Sequence, residues 1–464
     1  MVQSLGIVIT PIISRIYTPD AFGVTAVYIS IVTVLSALYS YQYDASILLP
    51  ARKNDALNLL YICLILVTAN TIIIIIVSVL WGHFIITHLR IEDVLPYRYL
   101  IPVSFFLNGV YSSFSFWFSR QKRFKILSVT QVVSSLSSQS FKIVLGIMGL
   151  ITGGSLIVSN IIGMMFAAIM VFVLFMRESN PFTSVIVERQ STLLRRYKKF
   201  PIYNTWSSLL NNASQQLPTI ILAYYFPLSI VGLYALGNMM LRMPIMFIGG
   251  SIAKVFYQKA SESRSNKNNL EELVSEIFKR LFVYGLFPFI MLSILGEEVF
   301  TVAFGEQWSE AGIYIQILSM WMFLVLITSP LTNLFSIFDR QNVHLVFNIV
   351  LFVARIVTLV LGGQTGNPRI ALSMYSLVGI LAWIWVIYWI FTSVHCKIGI
   401  IYRYILNKLL FSLFMGFSMI MLKYYFLISP AILLCIAAVS GTIYYIIIIK
   451  NDNKLLKQLG NKGI

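Results

Sequence analysis

Long apolar runs alternate with short polar breaks along almost the whole chain. Most runs are close to the ~20 residues that a helix needs to cross the hydrocarbon of a bilayer, and they lack the shorter alternation of barrel strands. The candidate spans are residues 2–16, 24–49, 57–82, 95–119, 126–150, 154–176, 201–225, 229–257, 278–304, 311–337, 341–362, 369–392, 405–424 and 428–449. The pattern predicts an all-α integral membrane protein of about fourteen transmembrane helices.

Composition agrees with this pattern and excludes a water-soluble fold. Hydrophobic residues make up 58% of the chain and charged residues 11%, with a mean hydropathy of +0.84. Soluble domains carry about 25% charged residues. Cys63, Cys396 and Cys435 lie in or beside apolar runs without metal-ligand spacing, so we expect buried hydrophobic side chains and no metal. The chain has no Walker A sequence, so we expect no cofactor and no ATP hydrolysis.

Charge is distributed unevenly between the connections on the two sides of the spans. Of the 34 Lys and Arg residues, 26 lie after even-numbered spans or in the C-terminal tail. By the positive-inside rule, these connections and both termini are cytoplasmic, in agreement with an even number of spans. The net charge of +17 is therefore a signal of topology rather than of nucleic-acid binding, and we expect no nucleic-acid partner.

Two turns recur along the chain at corresponding spacings. The stretch RIYTPDAFGVTAVY at 15–28 is echoed by AYYFPLSIVGLYAL at 223–236, with prolines 208 residues apart. The stretch FSFWFSRQKRF at 114–124 is echoed by FSIFDRQNVHL at 335–345, with Arg-Gln pairs 220 residues apart. Both offsets carry a span onto the sixth span after it, which predicts two six-helix lobes around a central cleft, related by an axis along the membrane normal. The expected domains are the first lobe at 1–176, a cytoplasmic linker at 177–200, the second lobe at 201–392, and a terminal helix pair with a basic cytoplasmic tail at 393–464.

Two predicted spans carry a stripe of polar residues on one helical face. The stripe of span 126–150 is Gln131, Ser135, Ser138 and Lys142, and the stripe of span 201–225 is Asn204, Ser208, Asn211 and Gln215. Residues at these spacings share a face of a helix. Hydrogen bonding between packed helices is one explanation, at ~0.6 kcal/mol per bond. A water-filled substrate cavity is the other, and two complete stripes favour the cavity.

Charged residues inside the predicted spans indicate an anionic ligand. Arg242 and Arg355 fall near the middle of their spans, Lys142 lies towards the outer side, and Arg15 lies at the outer membrane face. Such cations are costly in hydrocarbon, and a guanidinium matches the geometry of a phosphate. Snorkelling and pairing with backbone carbonyls are the alternatives. Asp44, the candidate acid, neutralises a cavity arginine, binds a coupling ion or sits at the inner interface.

Two longer stretches carry a family resemblance. They are PIISRIYTPDAFGVTAVYISIVTVLSALYSYQYDASILLP at 11–50 and AFGEQWSEAGIYIQILSMWMFLVLITSPLTNLFSIFDRQ at 303–341. The chain resembles Wzx-type polysaccharide flippases of the multidrug/oligosaccharidyl-lipid/polysaccharide exporter superfamily. The resemblance implies a V-shaped two-lobe carrier that moves an undecaprenyl-diphosphate-linked oligosaccharide, an O-antigen or capsule repeat unit, across the bacterial inner membrane. In the related lipid II flippases, arginines on the first and eighth helices hold the diphosphate; Arg242 matches the eighth-helix position, and Arg15 matches the first loosely.

The expected mechanism is alternating access, in which no bond is broken, so the chain is not expected to be an enzyme. The expected partners are membrane lipid, the polysaccharide polymerase and the chain-length regulator, and the expected state is a monomer. A polymerase or ligase would need a large external loop, but the longest external connection, around residues 83–94, is short. A cation-coupled multidrug exporter is the main alternative and should have acidic cavity residues. A non-transporting scaffold would not need charges at mid-membrane.

Overall fold

The computed structural model describes residues 2–177, 187–262, 267–396, 398–426 and 428–460. Its α-helices are α1 (Val2–Ile16), α2 (Pro19–Leu35), α3 (Tyr43–Ser46), α4 (Lys53–Leu80), α5 (Gly82–His88), α6 (Leu100–Arg120), α7 (Phe124–Ile147), α8 (Gly153–Met176), α9 (Val187–Arg196), α10 (Thr205–Tyr225), α11 (Leu228–Pro244), α12 (Gly250–Glu262), α13 (Lys267–Phe304), α14 (Ser309–Thr328), α15 (Leu334–Ile337), α16 (Gln341–Gln364), α17 (Pro368–Val394), α18 (Ile398–Tyr424) and α19 (Pro430–Gly460). Within these ranges, nine helical segments are long and apolar enough to cross a membrane. The predicted all-α membrane fold is confirmed, whereas the count of fourteen spans and the symmetry of the lobes stay predictions.

Side-chain caps fix where several helices begin. The hydroxyl of Thr18 accepts a hydrogen bond from the backbone N–H of Ala21 at 3.4 Å, directly before Pro19 opens α2. Thr152 caps α8 in the same way through the N–H of Ser155 at 3.3 Å. Both caps satisfy backbone donors that the first helical turn leaves without a partner.

The predicted span 24–49 is wrong in its bounds because the helix breaks. The α-helix runs from Pro19 to Leu35, and a short 3₁₀ turn follows it. Tyr41 and Gln42 then take left-handed backbone angles, with φ of 49° and 62°. Residues other than glycine rarely adopt this conformation, and it interrupts the hydrogen bonding of a helix. The chain resumes in the short helix α3, which carries Asp44.

The predicted span 229–257 is likewise not one regular helix. Helix α11 ends at Pro244, a π-helical turn covers Ile245–Gly249, and α12 begins at Gly250. A second π-helical turn, Phe200–Asn204, precedes α10. Each π turn adds a residue to the helical repeat, so the faces on its two sides are rotated against each other.

The chain divides into two compact units, one up to Ala235 and one from Leu236 onwards. In the first unit, aromatic and aliphatic side chains of α4, α6 and α8 form a core around Leu60, Trp117 and Phe175. Helix α9 packs Leu193 into this core, and Arg189 pairs with Asp55 of α4. The predicted domains at 1–176, 201–392 and 393–464 stay predictions. Residues 178–186 of the predicted linker lie outside the described residues.

The second unit has a separate core between α13, α18 and α19. Phe287 and Leu295 of α13 pack there with Met419 and Tyr444. The Tyr444 hydroxyl donates a hydrogen bond to the backbone carbonyl of Val283 at 2.8 Å. A buried hydroxyl needs such an acceptor, so this bond fixes α19 against α13.

Candidate functional site

A polar cavity of about 900 Å³ lies inside the first unit. Helices α2, α6, α7 and α8 form its wall. Its polar lining residues include Tyr28, Ser104, Asn108, Ser112, Gln131, Ser135, Ser138, Lys142 and Asn160. All four residues of the predicted α7 stripe, from Gln131 to Lys142, are therefore on the wall. Hydroxyl and amide groups of this kind both donate and accept hydrogen bonds, as a carbohydrate or water would require.

The α7 stripe both lines the cavity and bonds a neighbouring helix. Ser138 is buried and donates a hydrogen bond to the side-chain oxygen of Asn160 on α8 at 2.9 Å. Gln131 is exposed and Ser135 half-buried. Of the two explanations considered for the stripe, hydrogen bonding between helices applies to Ser138, while the other members face the cavity without such a bond among the described residues.

Lys142 brings a positive charge to this cavity. The Tyr17 hydroxyl donates a hydrogen bond to the Lys142 backbone carbonyl at 2.8 Å, which holds this turn of α7 beside the end of α1. The ammonium makes no hydrogen bond or ion pair with any residue that the structure describes, although it is half-buried. A desolvated cation without a counterion favours an anionic ligand.

Asp44 lies behind the cavity wall rather than on it. Its side chain is 5% exposed. The Ser112 hydroxyl, which lines the cavity, donates a hydrogen bond to one carboxylate oxygen at 2.8 Å, and the N–H of Ala45 donates to the other at 2.9 Å. No ion pair of Asp44 occurs among the described residues, so its charge is met by neutral donors.

Arg15 and Arg242 lie in different units. Arg15 is in the last turn of α1, is exposed and is not among the cavity residues. Arg242 is half-buried in the last turn of α11, and its Nε donates to the side-chain oxygen of Asn238 at 3.3 Å. The Asn238 contact joins two residues one turn apart and so orients the guanidinium along α11.

Arg355 packs on aromatic faces. Its guanidinium carbon lies 5.3 Å from the ring centroid of Trp321 on α14 and 5.7 Å from that of Tyr375 on α17. These distances are typical of cation–π contacts. Its Nε is buried and has no hydrogen-bond acceptor in the described part of the chain.

The predicted α10 stripe does not line the cavity. Asn204, which lies in the π turn before α10, is exposed, as are Asn211 and Gln215, and Ser208 is half-buried. The residues one position further, Asn212 and Gln216, face α2 instead. Asn212 donates to the backbone carbonyl of Thr33 at 3.1 Å and to the Ser36 hydroxyl at 3.0 Å. The amide oxygen of Gln216 accepts from the Ser30 hydroxyl at 3.0 Å.

Sequence reasoning also missed the polar wall that α6 provides. Ser104, Asn108, Ser112 and Ser115 all line the cavity. Their spacing of four, four and three residues is the same helical periodicity that marked α7. The signal was therefore present in the stretch SFFLNGVYSSFS, at 104–115, but aromatic residues between the polar ones obscured it.

Within the described residues, nine helical segments could cross a membrane and four helices surround a polar cavity, as is typical of a helical membrane protein. The chain belongs to the family described as "Polysaccharide biosynthesis protein", whose sequence pattern matches residues 12–312. A relative is the lipopolysaccharide biosynthesis protein WzxC of Escherichia coli (strain K12), at 24% identity over 169 residues. That match covers 36% of this chain and spans only 34% of the length of WzxC.

Solved structures of transporters share the fold. The lipid II flippase MurJ in an inward closed conformation matches with a TM-score of 0.70 at 12% identity, over 97% of this chain and 98% of that one. An inward-facing multidrug resistance transporter of the MATE family matches with a TM-score of 0.66 at 13% identity, over 85% and 94%. The chain therefore belongs to a polysaccharide biosynthesis family and has the fold of these membrane transporters.

Proposed function

We propose that the protein is a flippase for undecaprenyl-diphosphate-linked oligosaccharide, an O-antigen or capsule repeat unit. It moves this lipid from the inner to the outer leaflet of the bacterial cytoplasmic membrane by alternating access. The observation that carries the proposal is the first-unit cavity, because its lining combines hydroxyl and amide groups with the positive charge of Lys142. Both protein termini are cytoplasmic in this proposal.

The two parts of the substrate have different requirements. The glycan needs donors and acceptors, which Gln131, Ser138 and their neighbours supply on α7. The diphosphate needs cations, and we propose as candidates Arg15 and Lys142 in the first unit and Arg242 and Arg355 in the second. Arg242 and, more loosely, Arg15 are proposed on the resemblance to lipid II flippases. Asn204, Asn211 and Gln215 contact the glycan from their exposed positions on α10 and the turn before it. Asp44, behind the cavity wall, accepts the hydrogen bond of Ser112 and so holds that side chain in place.

A cation-coupled multidrug exporter is the second candidate, because the MATE transporter shares the fold. A lipophilic cation would be stabilised by a carboxylate on the wall. The residues lining the described cavity include Lys142 but neither Asp nor Glu, and the Asp44 carboxylate is screened by Ser112. The lining therefore supports an anionic rather than a cationic substrate.

The test is a flipping assay on purified protein in liposomes that hold undecaprenyl-diphosphate oligosaccharide in both leaflets. A membrane-impermeant reagent that modifies the glycan reports how much substrate becomes accessible with time. We expect the wild type to expose substrate well beyond one leaflet and Arg242→Ala to stall near the one-leaflet level. Arg280→Ala is the matched control, because Arg280 is an exposed arginine of the same unit that pairs with Glu276.

Each result has a distinct meaning. Normal flipping by Arg242→Ala would support the proposed function and show that Arg242 is not part of the substrate site. Failure of the wild type to pass the one-leaflet level with several glycans and imposed ion gradients would contradict the proposed function.

The polymerase and chain-length regulator are proposed to act on the product at the outer face. The flippase itself is proposed to be a monomer.

A further inference from the structure

The second unit contains an apolar groove of about 550 Å³ between α16 and α17. Val346, Val350 and Ala354 line it from α16, and Val378, Leu381 and Trp385 line it from α17. Near one end, the rings of Phe347 and Trp385 stack with their centroids 5.4 Å apart. Both helices satisfy the length and hydropathy needed to span a membrane, so the groove lies within the hydrocarbon.

The groove is about as long as one leaflet is deep. Its lining extends along α16 from Asn342 to Ala354, which is ~18 Å of helix. Half of the bilayer hydrocarbon is about 15 Å. A chain lying in the groove would therefore run from the polar end at Asn342 to the middle of the membrane.

A cation stands at the mid-membrane end of the groove. Arg355 follows Ala354 directly, and Tyr375, over which its guanidinium lies, is one helical turn before Val378. The rings of Tyr375 and Trp321, with centroids 4.9 Å apart, lie on the same side of the guanidinium, and its Nε has no acceptor among the described residues. An oxygen atom of a phosphate would supply such an acceptor.

We propose that this groove binds the isoprenoid chain of the polyprenyl-phosphate carrier, with a phosphate at Arg355. The inference rests on the proposed function and extends it by naming where the lipid part of the substrate is held. A bilayer phospholipid keeps its phosphate at the interface, whereas this groove ends beside a cation in the hydrocarbon. A lipid whose phosphate crosses the membrane meets this condition.

Groove-filling variants test the chain. Purified protein in detergent is titrated with undecaprenyl phosphate, and bound lipid is counted by native mass spectrometry. Val350→Trp and, on the facing helix, Leu381→Trp are expected to weaken lipid binding about tenfold, because the indole ring fills the groove. Val353→Trp is the matched control: Val353 is 52% exposed and Val350 62%, both are on α16, and only Val350 lines the groove. Equal weakening by Val353→Trp, or no weakening by either groove variant, would overturn the proposal.

A second comparison separates the phosphate from the chain. Arg355→Gln is expected to lower affinity for undecaprenyl phosphate about tenfold, the value of a hydrogen bond to a charged group, and to leave the neutral alcohol undecaprenol unchanged. Arg355→Lys is expected to retain most of the preference for the phosphate. Equal losses for both lipids would show that Arg355 only packs the helices and would overturn the phosphate assignment.

Phosphatidylglycerol is the competing lipid in the same titration. If it displaces undecaprenyl phosphate from the wild type at equal concentration, the groove is an ordinary lipid contact and the inference fails. The flipping assay judges the proposed function separately. If the wild type flips substrate and Val350→Trp binds and flips normally, the proposed function stands and the proposed lipid site in the groove is wrong. If the wild type neither flips substrate nor binds undecaprenyl phosphate, both proposals are wrong.

Discussion

Gly23 and Gly232 occupy reciprocal positions in the first unit, where the first turns of α2 and α11 touch. A methyl group on Gly23 would lie 1.8 Å from the backbone oxygen of Leu228, and one on Gly232 would lie 1.9 Å from the backbone oxygen of Pro19. Each glycine therefore accommodates the first turn of the other helix. This reciprocity gives a physical reason for the repeated proline–glycine turn, because each copy supplies both the carbonyl and the glycine that the other needs.

Side chains at this crossing are expected to be strongly destabilising. Gly23→Val or Gly232→Val would force two backbones apart, and overpacking of this kind costs roughly 1–3 kcal/mol or more. Thermal unfolding of the purified protein in detergent should show a lowered Tm for each variant. Gly250→Ala is the control, since a methyl group there meets nothing within 4 Å and alanine favours a helix. An unchanged Tm for both valine variants would contradict the close crossing.

The cation in the first-unit cavity is expected to govern transport rather than folding. Lys142→Gln should slow flipping of the diphosphate-linked substrate about tenfold, because a charge-assisted hydrogen bond is lost, while Tm stays within a few degrees. Lys125→Gln, an exposed lysine in the first turn of the same helix, is the comparison. Equal rates for the two variants in the liposome assay would remove Lys142 from the substrate path.

The buried carboxylate of Asp44 is expected to depend on Ser112. Ser112→Ala removes one of its donors and should cost about 1–3 kcal/mol, because a buried charge then lacks a hydrogen bond. The single variants and the double variant with Asp44→Asn form a cycle whose coupling free energy, read from denaturant unfolding, should be at least about 0.5 kcal/mol. Ser128→Ala, whose hydroxyl bonds only its own helix and is exposed, should be near neutral. Strict additivity would show that the 2.8 Å contact has no energetic role.

The second unit contains a buried ion pair whose disruption should be severe. Lys423 of α18 lies 2.6 Å from Glu298 of α13, and their side chains are 13% and 8% exposed. Lys423→Met leaves that carboxylate without its counterion, which costs about 3–5 kcal/mol. The exposed pair of Arg280 and Glu276, each side chain 54% exposed, provides the contrast. Arg280→Met should change the free energy of unfolding by less than about 1 kcal/mol. Similar losses of unfolding free energy for both variants would contradict the claim that burial makes the first pair more important for stability.

Periodicity explains which parts of the fold and the cavity could be predicted from the sequence. The α7 stripe could be predicted from the sequence because Gln131, Ser135 and Lys142 recur on one face of an unbroken helix. In α10 the same rule selected Asn211 and Gln215, although Asn212 and Gln216 make the contacts to α2. Adjacent pairs of identical residues give two equally good stripes, and only packing decides between them.

Contacts between distant parts of the chain explain what the sequence could not reveal. Arg355 could be recognised as a cation in an apolar segment, but its aromatic partners, Trp321 and Tyr375, are on other helices. The break after α2 was missed because Tyr41 and Gln42 are residues that rarely adopt left-handed angles, so nothing local marks them.

The cavity in the first unit also has an electrical direction. The hydrogen-bonding distance of 3.4 Å between the hydroxyls of Tyr111 and Thr130 places the Ser112 region of α6 level with the start of the α7 stripe. The carboxyl group of Asp44 therefore lies behind that end of the wall, and Lys142 lies ~16 Å further along α7, by helical rise from Gln131. The charge on the cavity wall therefore lies at the Lys142 end, so we expect a ligand with an acidic group and hydroxyl donors to bind in one orientation, its acidic group towards Lys142. The cavity would then discriminate the orientation of a ligand as well as its composition.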